Sequence, residues 1–129
     1  MIVAVLGEKG GTGKTTFATN LAGMRAGAGR DVLIDDADRQ GSSSYWAEAR
    51  ERQAVAVVAA VQKFGPGLVR AVADMARRYT DVVIDIAAGD SREIEGALRT
   101  AGAGASAAQT RPPPVACLLT VRPICYLDI

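Results

Sequence analysis

Residues 8–16 read EKGGTGKTT and lie between two segments with a regular apolar pattern. The preceding residues 2–6 form an apolar run of a length typical of a buried strand, and in residues 17–28 apolar side chains recur at helical spacing. Residues 8–16 are therefore predicted to form a turn between a strand and a helix. Three glycines let this turn curl so that its N–H groups point inward, and the helix adds its unpaired N–H groups and the positive end of its dipole. Such a turn favours an anion.

The side chains of the turn favour phosphate as that anion. Lys14 is placed to reach the β- and γ-phosphates of a nucleotide, Thr15 to complete the coordination of a magnesium ion, and Thr16 to hold the α-phosphate. Glu8 stands where the usual pattern G-x-x-x-x-G-K-[ST] has glycine. The alternative is a glycine-rich surface turn, in which the lysine and the two threonines would stand together by coincidence. We predict a nucleotide site that uses Mg²⁺.

Length and composition restrict the class of protein. The chain has 129 residues, enough for one domain, with 49% hydrophobic and 22% charged residues, which is typical of a globular protein without a membrane span. No basic region precedes the first apolar run, so we expect no signal peptide and a cytoplasmic location. Two cysteines and no histidine provide neither a disulfide framework nor a zinc site. A net charge of +1 gives no general attraction to nucleic acid or to an anionic membrane.

Acidic residues follow the second apolar run of the chain. Residues 32–34 lead directly into Asp35, Asp36 and Asp38. In parallel α/β sheets ligands bind beyond the carboxyl ends of the strands, so these carboxylates are expected on the same side as the phosphate-binding turn. A carboxylate there could hold magnesium or a water molecule, and the alternative is a solvated turn or a helix cap.

A later strand also ends in a carboxylate. Residues 81–85 read DVVID, which predicts a buried strand that ends at Asp85. A carboxylate at this place can accept a hydrogen bond from a magnesium-bound water next to the Thr15 hydroxyl, provided that its strand neighbours the phosphate-binding strand. We interpret residues 81–85 as a Walker B segment.

The remaining patterns complete an α/β arrangement. We predict a short helix at residues 45–52 in which Trp46 packs, a third strand within residues 55–61 with an alanine-rich helix as the alternative, and an amphipathic helix at residues 68–79. A further helix is predicted to begin at Asp90, with Glu93 completing a capping box.

The pattern ends near residue 101. Residues 102–129 contain Ala/Gly repeats and three consecutive prolines, which favour a linker or tail over a central strand. We therefore expect a P-loop NTPase-like α/β domain at residues 1–101, with a mostly parallel sheet flanked by helices and the C-terminal part of the fold missing. The abrupt loss of pattern also predicts that the tail is a frameshifted reading that truncates a longer protein. The alternative is a genuine flexible tail.

Three segments resemble the ParA/MinD family of deviant Walker A ATPases. Residues 9–15, KGGTGKT, match its phosphate-binding motif, in which the position before the glycine pair is commonly not glycine. Residues 36–41, which we name the switch segment, resemble its D-x-D-P-Q-G pattern with Asp36 and Asp38 as the two acids, although Arg39 replaces proline. Asp35 stands where an apolar strand residue is usual. Residues 85–98 resemble the D-x-x-G-x-D-S-x-E pattern that follows Walker B. The next strand of the family, which lies beside the phosphate-binding strand, has no counterpart in the tail, so the resemblance implies that the strand at residues 2–6 is left as an unpaired edge.

The resemblance implies a short ParA-like ATPase that binds ATP and Mg²⁺ and acts as a nucleotide-dependent dimer switch in plasmid or chromosome segregation. It implies catalytic roles for Lys9, Lys14 and Asp38, with Lys9 reaching the phosphates of the partner subunit in an ATP-dependent homodimer. Magnesium would be held at Thr15, Asp85 and Asp36. The implied nucleotide-binding residues are Lys9, Gly10, Gly11, Thr12, Gly13, Lys14, Thr15 and Thr16.

The resemblance also implies two macromolecular partners, non-specific DNA and a protein bound at a centromere-like site. A membrane-linked role like that of MinD would need a basic amphipathic helix near the C-terminus, which residues 115–129 do not provide. The alternative function is that of a non-catalytic nucleotide binder or an inactive fragment of such an ATPase.

Overall fold

The computed structural model describes residues 1–6, 11, 13–65, 67–88 and 118–120. Its elements are β1 (Ile2–Leu6), α1 (Lys14–Gly27), β2 (Val32–Ala37), α2 (Ser42–Glu51), β3 (Ala59–Gln62), α3 (Gly67–Arg78), β4 (Asp81–Ile86) and β5 (Leu118–Thr120).

The strands form one parallel sheet in the order β3-β2-β4-β1-β5. β4 lies between β1 and β2, and its residue Asp85 is in register with Val5 on one side and Asp36 on the other. The expected α/β class with a parallel sheet is therefore confirmed. Because parallel strands share one direction, the carboxyl ends of β1, β2 and β4 meet at one edge of the sheet, beside the amino end of α1.

Helices cover both faces of the sheet. On one face, small side chains of α1 and α2 pack against the branched residues of the strands; this cluster contains Val3, Val5, Ala18, Ala22, Ala26, Val32, Ile34, Ala47, Val58 and Val83. The other face is covered by α3, and its cluster contains Ala4, Leu6, Leu33, Ala37, Leu68, Val72, Val82, Ile84 and Ile86. Burial on both faces explains why β1 and β4 read as continuous apolar runs rather than as alternating patterns. None of the described helices is long and apolar enough to cross a membrane.

Most predicted elements are confirmed, with adjusted ends. The third strand exists but is limited to Ala59–Gln62, and Val55 and Val57 lie exposed in the connection before it. Trp46 packs against the core cluster under α1, as predicted. The helix predicted to begin at Asp90 lies outside the described residues.

The prediction that β1 would be an unpaired edge is wrong. β5 pairs with β1 in parallel, with Ala4 opposite Leu118, Val5 opposite Leu119 and Leu6 opposite Thr120. The proline argument applies to residues 112–114 and does not reach these three residues, which carry N–H groups and can join a ladder. The frameshift of the tail stays a prediction, but the exposed β1 edge no longer follows from it.

Candidate functional site

The amino end of α1 is built for an anion by its backbone. Gly13 is the N-cap of α1 and has φ 80, a left-handed conformation that favours glycine, and Gly11 just before it has φ 72. The cap makes no side-chain hydrogen bond, and the first turn carries no acidic residue. The N–H groups at this helix end therefore face no carboxylate of the helix itself, which suits a phosphate. The predicted phosphate-binding residues Lys9, Gly10 and Thr12 lie outside the described residues.

A cavity of about 540 Å³ opens at this helix end. Its volume is within the range of about 300–1,000 Å³ that is usual for small-molecule and cofactor sites. The structure thus brings most of the described phosphate-site residues together with the switch segment. The cavity is lined by Gly11, Gly13, Lys14, Thr15, Thr16, Asp38, Gln40, Ser42, Ala87 and Ala88.

Lys14 is the first residue of α1 and is only 8% exposed although it lines the cavity. A lysine is rarely buried to this extent unless an anionic or polar group faces it, so the position suits contact with phosphate. Thr15 and Thr16, the next two residues of the helix, line the same cavity. Their hydroxyl groups are placed in the first turn, next to the site where a nucleotide phosphate would bind.

Asp85 lies at the carboxyl end of β4 and is 1% exposed. Burial raises the pKa of this carboxyl, the nearby Thr15 and Ser43 hydroxyl groups oppose that rise, and the negative charges of Asp36 and Asp38 reinforce it. Asp85 Oδ2 and Ser43 Oγ are buried without a hydrogen-bond partner among the described residues. A water molecule bound to a metal ion could donate the hydrogen bond that this carboxylate oxygen lacks. Asp85 and Thr15 are therefore suited to hold a hydrated magnesium ion.

Asp36 has its two oxygens occupied by backbone donors. Asp38 N donates to Oδ1 at 3.2 Å, and Ser44 N donates to Oδ2 at 2.8 Å. The N-cap of α2 is Gly41, which has no side chain, so Asp36 supplies from β2 the acceptor that the first turn of α2 needs. The sequence predicts that Asp36 is a metal ligand. In the structure the Asp36 carboxylate anchors the switch segment, and its remaining lone pairs could still accept further hydrogen bonds.

Asp38 lines the cavity and shapes the tight turn of the switch segment. Gln40 N donates to Asp38 Oδ1 at 2.9 Å, and Gly41 N donates to the Asp38 carbonyl oxygen at 3.1 Å. The turn thus fixes the Asp38 backbone at the lining of the cavity. A carboxylate in this position can orient a water molecule near a bound phosphate.

No group of three or more His, Cys, Asp or Glu side chains in the described part of the chain could hold a metal ion by itself. This donor set still fits magnesium, because Mg²⁺ in nucleotide sites takes one or two protein oxygens, several waters and substrate phosphates. The site is therefore suited to Mg²⁺ that arrives with a nucleotide.

Two buried aspartates, Asp35 and Asp81, lie outside the cavity lining, although Asp35 is among the carboxylates expected beside the phosphate-binding turn. Asp35 on β2 is 0% exposed and faces the side covered by α3. Burial raises its pKa to about 7; the hydrogen bond from Lys63 N to Asp35 Oδ1, at 3.1 Å, opposes the rise, and the charge of Asp36 adds to it. Asp35 Oδ2 has no partner among the described residues. The departure from an apolar residue was visible in the sequence, but the depth of burial was not.

Asp81, at the amino end of β4, is also 0% exposed and lies far from the cavity. Its Oδ1 accepts from the Met1 ammonium at 2.9 Å, and its Oδ2 accepts from Arg25 Nε at 2.7 Å and Arg30 Nε at 3.4 Å. Burial alone would raise the pKa of Asp81, but the hydrogen bonds from Arg25 and the ammonium outweigh it and lower the pKa to about 2. An acidic residue at the first position of a buried strand is unusual in the sequence, but it does not identify Arg25, Arg30 or Met1 as its partners.

Comparison with known proteins agrees with the geometry. Residues 3–116 match the family CbiA, described as the CobQ/CobB/MinD/ParA nucleotide binding domain. The chain is 62% identical over 47 residues to the maintenance of carboxysome distribution protein A of Gloeobacter kilaueensis, a match that covers 36% of this chain and 21% of that protein.

Two partition proteins are also similar. The chromosome partitioning protein ParA of Caulobacter vibrioides is 49% identical over 43 residues, which is 33% of this chain and 16% of that protein. The chromosome-partitioning ATPase Soj of Thermus thermophilus is 42% identical over 53 residues, which is 41% of this chain and 21% of that protein. The matched segments thus cover no more than about a fifth of these curated relatives. The match over residues 3–116, together with the parallel sheet of the structure, shows that the chain belongs to the CobQ/CobB/MinD/ParA family of nucleotide-binding domains.

Proposed function

We propose that the chain binds ATP with Mg²⁺ and hydrolyses it as a ParA-like partition ATPase. One observation carries the proposal: Lys14, Thr15 and Asp38 all line the cavity of about 540 Å³ at the amino end of α1. The unpartnered Oδ2 of buried Asp85 supports the magnesium part of the proposal. Positioning and charge stabilisation provide most of the catalysis in such phosphoryl-transfer sites.

Each residue has a definite task in this reaction. The backbone around Gly11 and Gly13 cradles the phosphates, and Lys14 brings a positive charge to the β- and γ-phosphates. Bound magnesium would neutralise charge that develops on the phosphate oxygens. The Thr15 hydroxyl would ligate the magnesium ion, and Asp85 would accept a hydrogen bond from a water bound to it. Asp38 orients the attacking water, and Asp36 holds Asp38 in place through the 3.2 Å hydrogen bond from Asp38 N.

The proposal extends to a dimer switch. Lys9 would reach the phosphates of a second subunit, so that ATP joins two chains and hydrolysis separates them. The ATP dimer would bind DNA without sequence preference and respond to a protein bound at a centromere-like site. The names of the similar proteins point to chromosomes or carboxysomes as cargo, and a plasmid is the further candidate.

A nucleotide binder without turnover is the second candidate. Arg39 departs from the family pattern inside the switch segment that carries Asp38, and the buried carboxyl of Asp35 departs from it directly before that segment; both departures favour this candidate. Such a protein would use the same cavity and the same lysine, but ATP would remain intact.

Phosphate release from ATP and Mg²⁺ separates the two candidates. We expect the parent chain to release phosphate above the rate of Lys14→Ala, and Asp38→Ala to bind ATP while losing turnover, since water positioning matters in the transition state. Arg70→Ala, which removes an exposed charge from α3, is the matched control for lost positive charge. Equal rates for the parent and Lys14→Ala, with ATP binding retained by the parent, would refute hydrolysis and leave the binder.

A further inference from the structure

The end of β3 contacts the backbone of the switch segment at Gly41. Gly41 has φ 68, and a Cβ atom added there would lie 2.7 Å from Gln62 Nε2. The Gln62 side chain therefore packs directly against the backbone at the point where α2 begins. β2 and β3 are in parallel register with Asp36 opposite Gln62, so this contact follows from the last rung of the ladder.

The two residues after Gln62 make contacts of their own. Lys63 N donates to Asp35 Oδ1 at 3.1 Å, immediately before the switch segment. The Arg39 guanidinium lies 5.6 Å from the centroid of the Phe64 ring, within the range of a cation–π contact. Arg39 is the residue that replaces the usual proline of the switch segment. Arg39, whose φ angle is not fixed by a proline ring, is thus in contact with an aromatic side chain from the loop after β3.

We propose that residues 62–64, which we name the β3 arm, set the conformation of the switch segment and thereby the position of Asp38. Gln62 and Phe64 are positioning residues, because they touch Gly41 and Arg39 rather than the cavity. In a chain that lacks the proline, the β3 arm takes over part of the restriction that proline would impose on the turn.

The β3 arm should affect turnover and not nucleotide affinity. The phosphate cradle belongs to the amino end of α1, whereas the contacts of Gln62 and Phe64 described above are with Gly41 and Arg39 of the switch segment. Loss of the β3 arm would let the switch segment sample other conformations and would lower the fraction of molecules with Asp38 correctly placed. This effect on kcat rests on the proposed hydrolysis, whereas the effect on the switch segment itself does not.

Hydrogen exchange tests the conformational part without any nucleotide. The Gln40 and Gly41 amides are both hydrogen-bonded to Asp38 and so report on the turn. We expect Phe64→Leu and Gln62→Ala to speed their exchange about two- to five-fold, the size expected for loss of one exposed cation–π or packing contact, and Phe64→Trp to restore the parent rate. The Ala22 amide of α1 is the internal control and should not change. Unchanged exchange at Gln40 and Gly41 in Phe64→Leu would overturn the proposal.

Kinetics test the consequence for the reaction. Phe64→Leu should lower kcat about two- to five-fold at unchanged KM, Phe64→Trp should restore it, and Val57→Ala, an exposed apolar truncation before β3, should leave both constants unchanged. A rise in KM with kcat unchanged would contradict a positioning role. If the parent chain releases no phosphate above the Lys14→Ala rate, the proposed hydrolysis fails, and the exchange experiment still decides the β3 arm.

Discussion

Asp35→Asn should stabilise the protein, and increasingly so as the pH rises. The carboxyl has an ordinary pKa of 3.8 and a pKa of about 7 in the folded state, chiefly because of burial. Below about pH 4 the carboxyl is protonated in both the folded and the unfolded chain and contributes nothing. Between these two values the unfolded chain loses the proton while the folded chain keeps it, so the free energy of unfolding falls as the pH rises.

The full penalty is reached above about pH 7. At about 1.4 kcal/mol for each tenfold change in the dissociation constant, the step from 3.8 to about 7 corresponds to about 4 kcal/mol. Asn has nearly the shape of Asp and keeps an oxygen for Lys63 N, but it carries no charge. The variant therefore should be more stable than the parent by up to about 4 kcal/mol at pH 8 and by about 1 kcal/mol or less at pH 4.

Urea unfolding at pH 4, 6 and 8 measures this difference. Asp74→Asn, which neutralises an exposed carboxylate on α3, is the matched control and should change stability by less than about 0.5 kcal/mol throughout. A gain for Asp35→Asn that is the same at pH 4 and pH 8 would refute the titration argument. A loss of stability at pH 8 would show that the buried carboxylate has a partner worth more than its desolvation.

Three further predictions concern other parts of the molecule. Asp81→Asn should destabilise the protein by about 1–3 kcal/mol at pH 7, because Arg25 and the Met1 ammonium lose a buried acceptor. The difference in stability should vanish as the pH falls through about 2, the pKa of Asp81 in the folded state. Thermal unfolding at several pH values would measure this difference, and equal Tm values for the variant and the parent at pH 7 would contradict the ion cluster. Lys14→Ala should abolish ATP binding whereas Lys9→Ala should keep most of it and lose ATP-dependent dimerisation in sedimentation, so a Lys9→Ala protein that dimerises like the parent would remove that lysine from the dimer. Gly41→Ala should lower stability by only about 0.5 kcal/mol more than Gly29→Ala, since both glycines have positive φ and a Cβ at Gly41 would push the mobile amide end of the exposed Gln62 out of its contact; Gln62→Ala should recover this small excess, and equal losses would show that Gln62 does not pack there.

Local patterns predicted the parts of the fold and site that depend on neighbours in the chain. The turn before Lys14 and the acid that ends β4 were predictable because glycine spacing, helical period and a buried run all act within about ten residues. Contacts made over long separations in sequence were not. Asp81 meets Arg25 and Asp35 meets Lys63 only after the sheet has formed, and neither partner carries a sequence signal. β5 was not predicted because its three residues lie in a proline-containing segment without a periodic apolar pattern. They form a strand by pairing with the open edge of β1.

The order of strands has a consequence for how this chain acquires its structure. β1 and β2 do not touch in the sheet; each pairs with β4, which comes later in the sequence. A nascent chain that has emerged only as far as α3 can pair β2 with β3, but β1 then has no partner strand. The β1 and β2 ladders are joined only when β4 inserts between them, so the central part of the sheet should form in a late, cooperative step whose rate is limited by contacts distant in sequence. A fragment that ends before Asp81 should be unfolded, whereas one that extends past Ile86 can close the β2-β4-β1 core.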